Sequence, residues 1–323
     1  NQPRQFKEPF KYKAVWKSTS ASGAPDNSSL SHFSAMARPS WLGRAVRNRH
    51  RHGVASMAWR TTRRFSTSTP SNFDFHTGYR KTWYTKAIAY WENNEEVPAT
   101  VDGVLGGFAS LDAPDVRASR RFLTQARDAA GQSGAFAAAD VAAGIGRVTK
   151  HVLLPGGASG VDVLEPARTL RAAACAFVDA PDTIEGVKVG GCASKCRFLA
   201  APMQDWAPSS SSYDVIWAQW CVGHLTDAHF LRFLRRCRTA LKPRGIVVIK
   251  DNCGESSSTD DCFEVDDQDR SICRGRAYLE ALLALSGAEL LCTALQPVAG
   301  EDAFPADIYP VRSYALRWVD GVT

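Results

Sequence analysis

The chain has 323 residues, 45% of them apolar, 22% charged and 10% aromatic, enough for a sizeable buried core and too hydrophobic overall for a disordered polymer. The formal net charge of +6 divides unevenly: residues 1–72 hold 13 Lys and Arg against two acids, whereas residues 73–323 hold 26 against 31. The body is therefore mildly acidic, with no electrostatic footprint for nucleic acid, and no window approaches the ~18 apolar residues of a membrane span.

Residues 1–75 are rich in Ser, Thr, Arg and His and lack sustained apolar periodicity. Arg-rich, Ser-rich and acid-poor is also the composition of an organelle transit peptide. The reading preferred here is a disordered basic extension, or leader sequence ahead of a start at Met36 or Met57. All nine cysteines lie from Cys175 to Cys292. An odd, scattered set argues for a reducing compartment, cytoplasm or nucleus, rather than a secreted disulfide framework. Cys192 and Cys196 have no second Cys or His pair nearby, so no metal site is expected.

Order is expected from residue 76 to 320. The aromatics Trp83, Tyr84, Tyr90 and Trp91 suit a helix over 79–91, and 101–107 reads as a Gly-rich loop. A helix over 115–130 stops at Gly131. From residue 136 short apolar runs alternate with helical patterns. Strands are predicted at 136–141, 160–164, 198–201, 213–218 and 245–250. Helices are predicted at 147–154, 167–177, 227–241 and 270–285. Residues 179–196 read as a surface insertion, and 288–295 with 311–319 close the sheet as a hairpin-like pair. Such alternation implies an α/β, doubly wound sheet that binds ligands at the carboxyl ends of its strands.

The loop after the first predicted strand runs Asp140, Val141, Ala142, Ala143, Gly144, Ile145, Gly146, Arg147. Small residues let a ligand approach the backbone closely, and a following helix N-terminus favours negative charge. Glu165 ends the next strand, where an acid can accept both hydroxyls of a ribose. The two-residue spacing of Ala142, Gly144 and Gly146 resembles the Gly-x-Gly-x-Gly loop of class I S-adenosylmethionine-dependent methyltransferases, with Ala142 in place of the first glycine.

Residues 213–227, YDVIWAQWCVGHLTD, are more specific. Together with Tyr90-Trp91, the 100–107 loop, 143–147, 233–237, 249–252, 271–274 and Ile308-Tyr309, they resemble the protein α-N-terminal methyltransferases. That family methylates the free amino terminus of proteins beginning Xaa-Pro-Lys. The resemblance covers about 83–317 and implies a Rossmann-like, seven-stranded mixed sheet with N-terminal helical additions. It implies S-adenosylmethionine held by Asp140, Ala142, Gly144, Gly146, Arg147, Glu165, Pro166, Ala167, Met203, Gln204 and Gln219, with Arg147 on the methionine carboxylate. His224 and Asp269 match the two candidate bases. Asn252 would hold the amino terminus, Trp220 the second-position proline, and Asp266 with Ser271 the third-position lysine. Tyr90, Trp91, Leu105, Gly106, Ile308 and Tyr309 would wall the peptide channel.

Taken alone, each of these residues has a plainer reading: a structural histidine, a solvated acidic loop, core tryptophans. A small-molecule methyltransferase, or a binding module whose loop Ala142 has spoiled, stands as the alternative. Residues 256–259 look inserted ahead of the acidic run. The chemistry itself constrains the site: an α-amine of pKa ~7.7–8 must lose a proton before it attacks an activated methyl, so a proton acceptor is needed rather than a covalent nucleophile.

Overall fold

The computed structural model describes residues 77–93, 95–184, 186–254, 263–306 and 308–319. The expectations for 1–75 and for the 256–259 insertion lie outside these residues. The chain opens with helix α1 (Thr77–Glu92), a single helical turn α2 (Val101–Val104) and helix α3 (Asp112–Ala129). The Thr100 hydroxyl accepts the Gly103 N–H at 3.1 Å and so starts α2. The expected Gly-rich loop at 101–107 is therefore half helix, and only Gly106 and Gly107, at φ 62° and 87°, turn as loop glycines do. Asp112 and Asp115 stand in the first turn of α3, where the helix dipole favours acids.

Strand β1 (Phe136–Val141) leads through a buried π-helical stretch, Thr149–Leu153, to β2 (Ala158–Leu164) and α4 (Arg168–Asp179). The predicted insertion forms a small exposed hairpin, β3 (Asp182–Ile184) with β4 (Val187–Val189). The sheet resumes with β5 (Cys196–Leu199), β6 (Tyr213–Gln219), helix α5 (Asp227–Ala240) and β7 (Leu241–Gly254). Then come β8 (Phe263–Asp266), β9 (Ser271–Gly275), helix α6 (Arg276–Leu285), β10 (Glu289–Leu295) and β11 (Val311–Arg317).

The main path runs β10-β11-β7-β6-β1-β2-β5. Neighbours from β5 to β7 are parallel, and β11 is antiparallel to both β7 and β10. This is the doubly wound sheet that the alternation implied, with the seven-stranded mixed path that the resemblance implied and with β8 and β9 attached at the end of β7. One face packs Phe122, Leu123 and Ala126 of α3 onto Val163, Val215, Trp217 and Val248. Helices α5 and α6 bury Phe230, Phe233, Leu234, Leu279, Leu282 and Leu283.

The predicted helix 270–285 is corrected. Its first turn is β9, which pairs antiparallel with β8 and parallel with the end of β7 at Cys253 and Gly254. The helix starts only after Gly275, whose extended backbone (φ −62°, ψ 150°) ends the strand. Arg274, buried in β9, explains the preference for strand. Its guanidinium donates to Asp227 Oδ1 at 2.8 Å and to the carbonyls of Leu225 at 2.6 Å and Val222 at 3.2 Å. It thereby ties β9 to the loop that follows β6. Replacing it takes the guanidinium donor from the Leu225 carbonyl and Asp227 Oδ1, while the Val222 carbonyl keeps the Leu225 N–H at 3.1 Å, so Arg274→Met is expected to cost about 2–3 kcal/mol in urea unfolding; an unchanged midpoint would show that the tie carries no stability.

Candidate active site

A cavity of about 740 Å³ opens at the carboxyl ends of β1, β2, β6 and β7, where the chain leaves β5 and returns to β6. This is the topological switch point of the sheet. Its walls bring together Asp140, Ala142, Gly144, Arg147, Glu165, Pro166, Met203, Gln204 and Gln219 with His224 and Asp269. Trp91, Leu105, Trp220, Asn252, Asp266, Ser271, Ile308 and Tyr309 complete the predicted set that lines it. Four predicted residues stand outside the wall. A Cβ on Gly146 would come within 2.8 Å of Val178 Cγ2, so that glycine serves the packing of α4. Ala167 is wholly buried and contributes only its N–H. Gly106 makes the turn after α2. Tyr90 backs Trp91 edge-on, with ring centres 5.6 Å apart.

At the end of the cavity beside β1 and β2, two buried carboxylates hold the backbone. Asp140 Oδ2 accepts the Thr149 N–H at 2.9 Å and hydroxyl at 2.6 Å, and burial pushes its pKa up to about 6. Glu165 accepts Gly144 N–H through Oε2 at 2.8 Å and Ala167 N–H through Oε1 at 2.7 Å. Burial outweighs these donors and lifts it to about 7. Ala142 stands at φ 52°, a left-handed backbone that alanine adopts only under strain. The carbonyls of Met203 and Gln204 accept from the Arg236 guanidinium at 2.8 and 3.0 Å, which pins that segment over α5.

Arg147 is less free than the sequence suggested. Its guanidinium donates to Asp112 Oδ1 at 2.7 Å and to Asp115 Oδ2 at 2.6 Å, using two of its five N–H groups. The Gln219 amide is likewise engaged: its nitrogen donates to Asp115 and its oxygen accepts the Trp217 indole N–H at 3.0 Å. Asp112, Asp115 and Lys250, which complete this network, were missed from sequence. The available signal was Lys250 itself, a charge at the end of the apolar run 246–249, which demands a buried partner.

The opposite end is acidic. Asp251, Glu264, Asp266, Asp267 and Asp269 all line it, and Asp251, Glu264 and Asp267 had not been singled out as site residues. Trp91 Nε1 can only donate, so at 3.1 Å it occupies the His224 Nε2 lone pair, and His224 Nδ1 donates to the Arg270 carbonyl at 3.1 Å. Both ring nitrogens are thus engaged by the protein. Asp269 is different. Its Oδ1 is buried and has no hydrogen-bond partner, although Ser271 donates to the carboxylate from backbone and hydroxyl. Burial raises its pKa, and Asp266 adds to the shift, against the lowering by His224 and Ser271. Burial, with Asp269, Glu96 and Asp266, pushes the Tyr90 hydroxyl up to about 12. Trp220 projects into the cavity from a left-handed backbone, φ 53°, held by its N–H on the Lys250 carbonyl at 2.8 Å. The Tyr309 hydroxyl donates to Glu264.

Known proteins give this geometry a context. A family model described as AdoMet dependent proline di-methyltransferase matches residues 79–317. A Bos taurus protein named N-terminal Xaa-Pro-Lys N-methyltransferase 1 is 40% identical over 243 residues, 73% of this chain and 96% of its own. The Homo sapiens protein of that name is 37% identical over 238 residues, with 73% and 96% covered. A solved structure from Leishmania major, described as a SAM-dependent methyltransferase, superposes with a TM-score of 0.60 at 32% identity, covering 73% of this chain and 83% of that one. A Burkholderia thailandensis 1,6-didemethyltoxoflavin-N1-methyltransferase shares the fold, with a TM-score of 0.53 at 14% identity over 75% and 90%.

The strain at Ala142 is directly testable. Glycine removes the Cβ conflict at φ 52°, so Ala142→Gly is expected to raise unfolding stability by about 1 kcal/mol despite the greater freedom of its unfolded chain. A lower midpoint in chemical denaturation would show that the loop is relaxed as alanine.

Proposed function

The chain belongs to the AdoMet-dependent proline di-methyltransferase family, and on that premise we propose that it methylates the free α-amino group of proteins that begin Xaa-Pro-Lys. The methyl donor is S-adenosylmethionine, which when bound supplies an electrophilic methyl group on a sulfonium. The residues present fit that donor. Glu165 is a buried carboxylate at the cavity wall, placed to accept ribose hydroxyls. Gly144, at φ 58°, puts backbone with no side chain at the cavity wall, and Arg147 keeps N–H groups beyond those given to Asp112 and Asp115.

The observation that carries the reading is the orphaned Asp269 Oδ1 in a cavity walled by acids and tryptophans. A cationic amino terminus followed by lysine is the electrostatic complement of that wall. Asp269 takes the proton from the incoming ammonium, because its raised pKa narrows the gap to an α-amine of ~7.7–8. His224, with its lone pair held by Trp91, orients the wall and adds the field of its ring. Asn252 positions the amine, Trp220 packs on the proline, and Asp266 with Ser271 receives the lysine. Leu105, Ile308 and Tyr309 line the channel, with Tyr90 supporting Trp91 from behind. Much of the acceleration then comes from positioning. Among the described residues no helix is long and apolar enough to cross a membrane. The free cysteines among them support cytoplasm or nucleus as the location, and the acidic body argues against a nucleic-acid partner.

Mass spectrometry of an Xaa-Pro-Lys peptide incubated with the protein and S-adenosylmethionine tests the reading. Addition of multiples of 14 Da at the amino terminus is the expected result, and an N-acetylated peptide should gain nothing. Asp269→Asn should cut kcat about 10²–10⁴-fold with donor affinity nearly unchanged; a large loss of donor affinity would count against its role. Methylation of small amines but not of peptides would support the small-molecule alternative.

Glu165 sets a pH dependence. Ribose hydroxyls donate to the ionised carboxylate, which exists above its pKa of about 7. Donor affinity should therefore be full above that value and fall as pH drops through it, approaching about tenfold per unit. Calorimetry from pH 8 to 5.5 reads this slope, and Glu165→Gln should flatten it; an equally steep slope in the variant would assign the proton elsewhere.

A further inference from the structure

Lys250 is buried within β7, directly after Ile246, Val247, Val248 and Ile249, all wholly buried. Its ammonium meets Asp115 Oδ1 at 2.5 Å, Ser119 Oγ at 3.0 Å, Gln296 Oε1 at 3.0 Å and the Asp115 carbonyl at 3.5 Å. Three N–H groups facing four acceptors is the environment of a charged ammonium. Neither Lys250 nor Asp115 lines the cavity. Asp115 lies behind the wall and passes its charge to the cavity through Arg147 and Gln219.

The local charges decide what Arg147 can do. Asp112 and Asp115 both bind its guanidinium, so two negative charges face one positive charge. His151, 3.9 Å from Asp112, adds none at pH 7, since burial lowers its pKa. With these groups alone the Arg147 site would be net negative and would repel a carboxylate. Among the side chains bonded directly in this network, Lys250 brings the balance of Asp112, Asp115 and Arg147 to zero. Asp115 is held as an anion by this arrangement: burial would raise its pKa, but Lys250 and Arg147 lower it to about 2.

We propose that Lys250 is a positioning residue for methyl-donor binding, neutralising Asp115 from behind so that Arg147 can receive the donor's carboxylate. The inference rests on the assignment of Arg147 to that carboxylate. It predicts a ligand-selective effect, which a purely structural role does not. S-adenosylhomocysteine carries the amino acid's carboxylate, whereas 5′-methylthioadenosine keeps the adenosine and thioether and lacks it.

Calorimetry on the full chain with these two ligands tests the idea. In Lys250→Met, S-adenosylhomocysteine is expected to weaken about tenfold or more, with 5′-methylthioadenosine within about twofold of its wild-type affinity. The double variant Asp115→Asn with Lys250→Met, which removes one charge of each sign, should recover S-adenosylhomocysteine binding to within about threefold. Equal weakening of both ligands in the single variant, or a double variant as defective as the single one for the carboxylate ligand, overturns the proposal. Should Lys250→Met fail to fold, the double variant decides alone: near-normal affinity for the carboxylate ligand supports the proposal, and a selective tenfold loss overturns it. Arg147→Gln separates the two layers of the argument. If it leaves the preference for S-adenosylhomocysteine over 5′-methylthioadenosine intact, the Arg147 assignment fails; if it abolishes that preference while Lys250→Met does not reduce it, only the present inference fails.

Discussion

The carboxylate of Asp115 is fully buried, and the architecture of the cavity depends on how that charge is satisfied. An isolated ion there would be prohibitive, so the fold surrounds it with Lys250, Arg147 and the Gln219 amide. These partners come from three places: β7, the segment after β1 and the end of β6. Asp115 itself sits in the first turn of α3. One anion therefore registers a helix against three neighbouring segments at the carboxyl edge of the sheet. Removing either cation leaves part of the Asp115 charge uncompensated, which ties the electrostatics of the site to both.

A second constraint is the sharpness of the turns that leave the strands. Ala142, Trp220 and Arg270 have φ of 52°, 53° and 60°, conformations that L residues seldom adopt. Each is held by hydrogen bonds at or beside it. Ala143 N–H binds the Leu164 carbonyl at 2.9 Å and Trp220 N–H the Lys250 carbonyl at 2.8 Å, while the Arg270 carbonyl takes His224 Nδ1–H. The strain of about 1–3 kcal/mol at such a residue is sustained by the surrounding structure. In return, the chain reverses within one residue of a strand end. That brings the Trp220 ring and the 141–147 backbone to the same cavity instead of letting them run past it.

Environment also separates acids that look alike in the chain. Asp140, Glu165 and Asp269 are all raised by burial. The first two are surrounded by N–H and hydroxyl donors and serve to hold backbone or to accept donors from a ligand. Asp269 keeps one oxygen without a donor. That difference, more than residue type, separates an anchoring carboxylate from one suited to take up a proton. It also ranks the two candidate bases, because the only free lone pair of His224 is already occupied by Trp91.

Much was legible in the sequence. Strand-helix alternation carried the doubly wound fold, the spacing of Ala142, Gly144 and Gly146 marked the loop after β1, and residues 213–227 carried the family. These signals are local: period, turn chemistry and motif spacing reside in neighbouring residues. Contacts between distant segments were not legible. Lys250 and Asp115 are 135 residues apart, and His224 meets Trp91 across 133. The strand character of β9 depends on pairing with β7 and β8, which helical periodicity over 270–285 could not reveal. Residue types and their order thus determined which chemistry the chain carries. Only the tertiary structure decided which oxygen is left unpaired and which charges cancel, because burial and partner identity arise when segments far apart in sequence share one desolvated space.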